Sequence, residues 1–227
     1  AGDIVRVTAN LPDTFEEFSA FFWPLGDDEL IEGFFDHSSG GGAPWRSDFN
    51  STLEVESVEG NVVRFVEPLQ ADYVFTSPTY QGGPRIVRIF AEGDRLMPDV
   101  GVEDLAFVSN YRDQFKHFFN RAADGYNFLE LCNVRASWVR RVRMRSGTRG
   151  ILFGDNGKNN VVYDVLFEGN SGHYSITTNG HVYGNQASFL REYAPVHHGF
   201  GASSSAFSTV YHRCNQFGGP EGHGGYP

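Results

Sequence analysis

Short apolar segments, separated by Gly- and Asn-rich breaks, recur along the second half of this chain. Residues 133–144 and residues 159–167 align at an offset of about 24 residues, and a further step of the same size places Leu190 under Leu166. A fixed period of this size, with short apolar strands and Gly or Asn corners, is typical of a solenoid. Each repeat is then a coil of strands rather than a pair of helices.

The same offset predicts which residues lie above one another. Coils of a β-solenoid stack about 4.8 Å apart, so residues one period apart are expected in one column. At this offset Val139 falls on Tyr163, Arg149 falls on His173, and His173 falls on His197. The sequence therefore predicts a polar column of Arg149, His173 and His197, with His198 beside it.

Composition excludes several classes of function. The 227 residues are enough to bury a substantial core, and the net charge of −10 gives no indication of a nucleic-acid partner. The 27 Gly and 21 Phe favour a turn-rich β fold with aromatic packing. No apolar run approaches the roughly 20 residues of a membrane span. Cys132 and Cys214 are expected to be unpaired thiols, because they fall on different corners more than three coils apart.

The pattern of residues 1–98 predicts a β-rich region with one short helix. This region is either an insertion between coils or the first coils themselves. A strand is expected at 2–8, a hairpin at 51–68, and further strands at 72–79 and 85–90. The helix is expected to begin at Asp13 or Thr14 and to end at Pro24. The coils are expected to occupy 99–227 and to continue beyond the chain, which starts at Ala1 and ends without a capping element.

Three strings in the second half resemble a known family. They are Val102-Glu-Asp-Leu105, residues 131–142 and Arg149-Gly-Ile151, and they are similar to the coil strands of pectin-lyase-like proteins. The resemblance is good over 100–213 and weaker over 1–99. It implies an all-β fold, a right-handed parallel β-helix built as a single-stranded solenoid. It also implies a secreted polysaccharide lyase or hydrolase, although phage tailspikes and non-catalytic surface proteins share the architecture.

Candidate site residues come from the chemistry that such enzymes perform. Elimination from an acidic polysaccharide needs a cation to neutralise the uronate carboxylate and a base to take the C5 proton. The candidate catalytic residues lie within eight positions of one another: Arg191, Tyr193, His197 and His198. The candidate substrate-binding residues are Trp45, Arg149, His173 and Tyr174. Alternatively, the polar column only satisfies backbone groups between coils.

Metal and cofactor chemistry has little support in the sequence. The stacked Asp pairs of pectate-lyase calcium sites and the closely spaced Asp residues of polygalacturonases are not matched, so neither mechanism carries over. His197, His198 and His212 could ligate a metal ion, but they lack the spacing of a metal-binding motif. We therefore predict no metal site and no cofactor.

A run of arginines between positions 135 and 149 is locally basic in an acidic chain. On a strand, Arg141, Arg143 and Arg145 point to one face. They either bind an anionic glycan or form the solvated outside of a coil, paired with Asp164 and Glu168 on the next coil.

Two functions remain open. The first is a secreted carbohydrate-active enzyme, a lyase or hydrolase acting on an acidic polysaccharide. The second is a non-catalytic extracellular subunit, structural or adhesive, that assembles through its coil edges or with further coils of the same polypeptide.

Overall fold

The computed structural model describes residues 1–9, 49–69, 85–91, 94–111, 126–170, 172–178, 181–202, 206 and 208–218. Every regular element in this part of the chain is a β-strand, which confirms the predicted all-β fold. The chain divides into two compact units, Ala1–Arg95 and Leu96–Pro227. The helix predicted from Asp13 or Thr14 and the strand predicted at 72–79 lie outside the described residues.

The first unit is an antiparallel sheet of four strands in the order β3-β2-β1-β4. Val5, Val7 and Leu53 are buried on one face of the two central strands, and Ile4, Thr8 and Thr52 are buried on the other. The hairpin predicted at 51–68 is confirmed. The strand bounds are β1 Ile4–Ala9, β2 Phe49–Glu59, β3 Val62–Phe65 and β4 Arg85–Arg88.

The second unit is a β-solenoid, which confirms the predicted coil architecture. Its strand pairings are all parallel. The strand bounds are β5 Met97–Pro98, β6 Gly101–Val108, β7 Asn127–Leu131, β8 Val134–Arg135, β9 Trp138–Arg145, β10 Arg149–Phe153, β11 Val161–Glu168, β12 Tyr174–Thr178, β13 Gln186–Ser188, β14 Arg191–Glu192, β15 Val210–His212 and β16 Asn215–Gln216.

The chain visits three sides of the solenoid in the same order on each turn. A long sheet contains five rungs, formed in sequence by β6, β9, β11, β13 with β14, and β15 with β16. A short sheet contains β7, β10 and β12. The third side carries the β5–β8 pair and the isolated bridges that link Arg135 to Lys158 and Lys158 to Tyr183. These two sheets and this third side enclose the core.

The register between turns is not constant. On the long sheet, Trp138 pairs with Val161, and Val161 in turn pairs with Gln186. The first of these steps is one position shorter than the predicted offset, and the second is one position longer. The next step, from Gln186 to Val210, equals the predicted offset. From β9 onward on the long sheet, the assumption of a fixed offset was therefore wrong by one position at two steps.

Three columns predicted from the fixed offset change accordingly. Leu166 pairs with Arg191 rather than with Leu190. Val139 pairs with Val162 rather than with Tyr163. Arg149 pairs with Tyr174 rather than with His173. Each slip moves a side chain by one position, and in a strand that means to the opposite face.

Left-handed backbone residues mark two corners of every turn. Such residues are uncommon outside glycine because the Cβ crowds the following carbonyl, so a full column of them defines the bend. One column precedes each rung of the long sheet, with φ between 48° and 63°: Asp99, Ala136, Asn159, Gly184 and Ser208. The other divides each rung in two, with φ between 52° and 57°: Asp104, Arg141, Asp164, Phe189 and Arg213.

A buried side-chain ladder runs beside the first of these columns. The Ser137 N–H donates to Asn160 Oδ1 at 3.0 Å, and the Asn160 N–H donates to Asn185 Oδ1 at 3.0 Å. Above them, the Val100 N–H donates to Ser137 Oγ at 3.1 Å. The Asn160 side chain also donates to the carbonyl of Val134 at 3.2 Å. The ladder thus satisfies backbone groups that the bend takes out of the strand pairing.

The core between the sheets is a set of aliphatic stacks. Val139, Val162 and Ala187 lie on successive rungs, and Val142 and Val165 form a second stack beside them. All five are at most 2% exposed, so each turn covers the apolar face of the one before it.

A third stack of core side chains includes a carboxylate. Met144 and Phe167 pair on the second and third rungs, and the next residue in register is Glu192, which is fully buried. Burial raises the pKa of Glu192 from its ordinary value of 4.5 to about 7, and nearby Ser175 and Gln216 lower it only partly. Neither of those neighbours makes a well-aligned hydrogen bond with the carboxylate oxygens.

Replacing the central ladder residue is predicted to destabilise the solenoid. Asn160→Ala removes the acceptor for the buried Ser137 N–H, so we expect the free energy of unfolding to fall by roughly 1–3 kcal/mol. Chemical denaturation measures this, with Asn215→Ala at an exposed strand position as the control. A loss no larger than that of the control would contradict a structural role for the ladder.

Glu192 predicts a pH dependence of stability. Its folded-state pKa lies above the unfolded value, so the folded protein holds the extra proton between about pH 4.5 and 7. The contribution of Glu192 to stability should be largest below this interval and should fall as the pH rises through it, by at most about 1.4 kcal/mol per pH unit. Glu192→Gln should flatten the profile, while Glu59→Gln at the exposed hairpin turn should not. Denaturation curves across the interval decide the matter, and an unchanged slope in Glu192→Gln would refute it.

Candidate functional site

Four ring side chains meet where the chain enters the short sheet on two successive turns. They are His173 and Tyr174 on one turn and His197 and His198 on the next, called here the histidine cluster. The backbone fixes their register, because the His197 N–H donates to the Gly172 carbonyl and the His198 N–H donates to the His173 carbonyl, both at 2.9 Å. The predicted stacking of His173 with His197 is therefore confirmed.

The rings of the cluster are in mutual contact. Between centroids, the His173–Tyr174 distance is 4.0 Å and the His197–His198 distance is 4.1 Å. Across the two turns, His198 lies 5.0 Å from Tyr174, with the planes 25° apart, and 5.2 Å from His173. All four side chains are half-buried, so each is held by packing while part of it stays open to solvent. One ligand can thus meet a phenol and several imidazoles together.

Arg149 adds a cation to the row. It lies on the turn before Tyr174 and pairs with it in register. Burial raises the pKa of Tyr174 above its ordinary value of 10, and the positive charge of Arg149 opposes this shift only partly. The phenol therefore stays protonated at neutral pH and can donate a hydrogen bond or a proton.

The other two candidate catalytic residues make their contacts on the long sheet. Arg191 Nη2 lies 2.8 Å from Asp164 Oδ1. The ring of Tyr193 stacks on that of Phe217, with centroids 4.7 Å apart. The structure thus joins His197 and His198 to three of the candidate substrate-binding residues, but gives Arg191 and Tyr193 other partners. Trp45 lies outside the described residues.

The arginine run forms ion pairs on the outer face of the long sheet. Arg143 binds Glu168 through two hydrogen bonds of 2.8 Å. This confirms the pairing with Glu168 that was predicted if the arginines form the solvated outside of a coil. Arg141 reaches back to the first rung instead, where it pairs with Glu103 and Asp104. Exposed pairs of this kind contribute little stability, and they leave these arginines occupied.

Little in the described part of the chain supports cysteine or metal chemistry. Cys132 and Cys214 are free, as predicted, and burial raises the pKa of the Cys132 thiol to about 12, which keeps it from acting as a thiolate. Within the described ranges, no three His, Cys, Asp or Glu side chains are arranged to hold a metal ion. No helix in the same ranges has the length and hydropathy needed to cross a membrane.

The pairing of Arg149 with Tyr174 was not predicted from the sequence. A signal was present, because Ile151 and Ile176 are both fully buried and pair two positions further on. Aligning those two isoleucines, rather than keeping one fixed offset, gives the observed register.

Comparisons with other proteins give no further identification. No protein-family model, curated protein or solved structure matches the chain.

The pairing of Arg149 with Tyr174 in register predicts a titration shift. Arg149→Gln removes a positive charge that favours the phenolate, so the pKa of Tyr174 should rise further. Nuclear magnetic resonance of labelled tyrosine ring carbons measures this, and Arg135→Gln on the third side of the solenoid is the control. A Tyr174 pKa that falls or stays the same would show that the two side chains do not interact.

Proposed function

We propose that this protein is a carbohydrate-active β-solenoid that cleaves an acidic polysaccharide by β-elimination at the histidine cluster. The observation that carries the proposal is that an arginine, a tyrosine and a histidine lie in register on successive turns. Arg149, Tyr174 and His198 supply the three kinds of group that this reaction needs.

Each group has a role in the proposed reaction. Arg149 pairs with the uronate carboxylate and makes the neighbouring C5–H more acidic. His198 takes the C5 proton, and the electron pair left behind forms the C4–C5 double bond. The C4–O bond then breaks, and Tyr174 protonates the departing oxygen. The raised pKa of Tyr174 supports its role as the acid, because the phenol is still protonated when the bond breaks.

We further propose that the solenoid is a right-handed parallel β-helix of the pectin-lyase-like superfamily and that the protein is secreted. The strings Val102-Glu-Asp-Leu105 and Arg149-Gly-Ile151 support this assignment, since both fall on parallel strands of the solenoid. An acidic polysaccharide is then the partner, and the local cation Arg149 favours it over a neutral glycan.

The activity test uses polymers that differ in their uronic acid. The protein should generate unsaturated uronate ends, detected by ultraviolet absorbance, from at least one of polygalacturonate, alginate or hyaluronan. His198→Ala and Tyr174→Phe should each lower kcat by roughly 100-fold or more. His181→Ala, a half-buried histidine outside the cluster, should keep its activity. No unsaturated product from any polymer, or full activity in His198→Ala, would refute this function.

A non-catalytic structural role is the second candidate. Among the described strands, β15 and β16 are hydrogen-bonded on one side only, and an open strand edge can pair with another chain. This role predicts a mass that increases with protein concentration, together with no turnover of any polymer. Sedimentation measures the mass, and a monomer at every concentration counts against assembly through the coil edges.

A further inference from the structure

A row of aromatic and arginine side chains occupies the outer face of the long sheet on its last two rungs. It is called here the aromatic strip, and it consists of Phe189, Arg191 and Tyr193 on the fourth rung and Arg213 and Phe217 on the fifth. Arg191 and Tyr193 flank the buried Glu192, so strand alternation turns them outward. The histidine cluster, in contrast, lies at the start of the short sheet.

The rings of the strip are exposed and yet ordered by one another. Tyr193 and Phe217 are 54% and 59% exposed, and their planes are only 12° apart. The Arg213 guanidinium lies 5.3 Å from the centre of the Phe189 ring. Tyr163 on the third rung continues the row, with its ring centroid 5.2 Å from that of Phe189. Exposed aromatic rings that lie next to one another in this way are typical of an interaction site.

The charges on this face divide along the solenoid. On the first three rungs, arginines are paired with carboxylates, as Arg143 is with Glu168. On the fifth rung, none of the described carboxylates pairs with Arg213, which rests on an aromatic face instead. Arg191 is paired with Asp164, but both side chains are more than a third exposed, so a ligand carboxylate can replace Asp164 at little cost. The strip therefore offers cations to an incoming anion.

We propose that the aromatic strip is a second binding site for an acidic polysaccharide, separate from the histidine cluster. The apolar faces of the sugar rings pack on Tyr193 and Phe217, and the sugar carboxylates bind the guanidinium groups of Arg191 and Arg213. Only the class of ligand rests on the proposed function. The strip itself is defined by its own contacts.

The size of the strip favours a glycan over a protein partner. A stable protein interface typically takes roughly 20–30 residues from each side. The strip has five side chains in a narrow row, which matches an extended chain one sugar wide. Guanidinium groups beside ring faces also suit carboxylates that are carried on flat, partly apolar rings.

Binding to the intact chain tests the proposal. Titration calorimetry with long oligosaccharides of galacturonate, mannuronate and hyaluronan is done on the His198→Ala background, so that cleavage does not interfere. The double change Tyr193→Ala with Phe217→Ala should weaken the binding about tenfold or more, and Arg213→Gln should weaken it and reduce its salt dependence. Val108→Ala, at an exposed position on the first rung, is the control and should bind normally. Circular dichroism checks that each variant is folded.

The outcomes separate this site from the catalytic proposal. A double variant that binds every oligosaccharide as tightly as its parent, or a parent that binds none, overturns the second site. A wild-type protein that self-associates through the strip, shown by a mass that falls in the double variant while glycan affinity is unchanged, overturns it as well. Loss of turnover in His198→Ala with intact binding at the strip supports both proposals. Binding at the strip by a wild-type protein that never cleaves supports this site and refutes the catalytic function.

Discussion

The hydrogen-bonded register between successive turns determines the rest of the solenoid. Parallel pairing fixes which residue of one turn lies over which residue of the next, and along the long sheet the length of the step changes from turn to turn. The two left-handed columns keep the same separation on every rung. The variation in step length therefore falls in the segments that lead from one rung to the next. The buried ladder through Asn160 satisfies the backbone at one of these corners. Core stacks, ion pairs and the histidine cluster all follow from this register.

The parallel coils were predictable from the sequence, but the register was not. Apolar residues recur often enough to reveal a period, and the average of the steps is close to the predicted offset. A slip of one position is hard to see, because positions such as Val161 and Val162 are both apolar and either could face inward. The structure selects Val162 for the core. A slip of this size determines which residues form the candidate site, since it pairs Arg149 with Tyr174 rather than with His173.

Glu192 and the aromatic strip show a different limit of sequence reading. On the fourth rung the usual pattern is reversed, with a carboxylate inside and the rings of Phe189 and Tyr193 outside. Hydrophobic periodicity assigns charged residues to the surface and aromatic rings to the core, so it fails here. Such exceptions are expected where a protein gives up stability for function. Glu192 lies on the fourth rung, which the strip also occupies, and the raised pKa of Glu192 makes the stability of that region depend on pH.

In the proposed function, the register assembles a binding and cleavage site from Arg149, Tyr174 and His198. A crystal structure of the His198→Ala protein with a bound acidic oligosaccharide tests it most directly. The account predicts that a sugar carboxylate contacts the Arg149 guanidinium and that the sugar lies within hydrogen-bond distance of the Tyr174 hydroxyl. An oligosaccharide bound only elsewhere, or Arg149 paired with His173 instead of Tyr174, would contradict it.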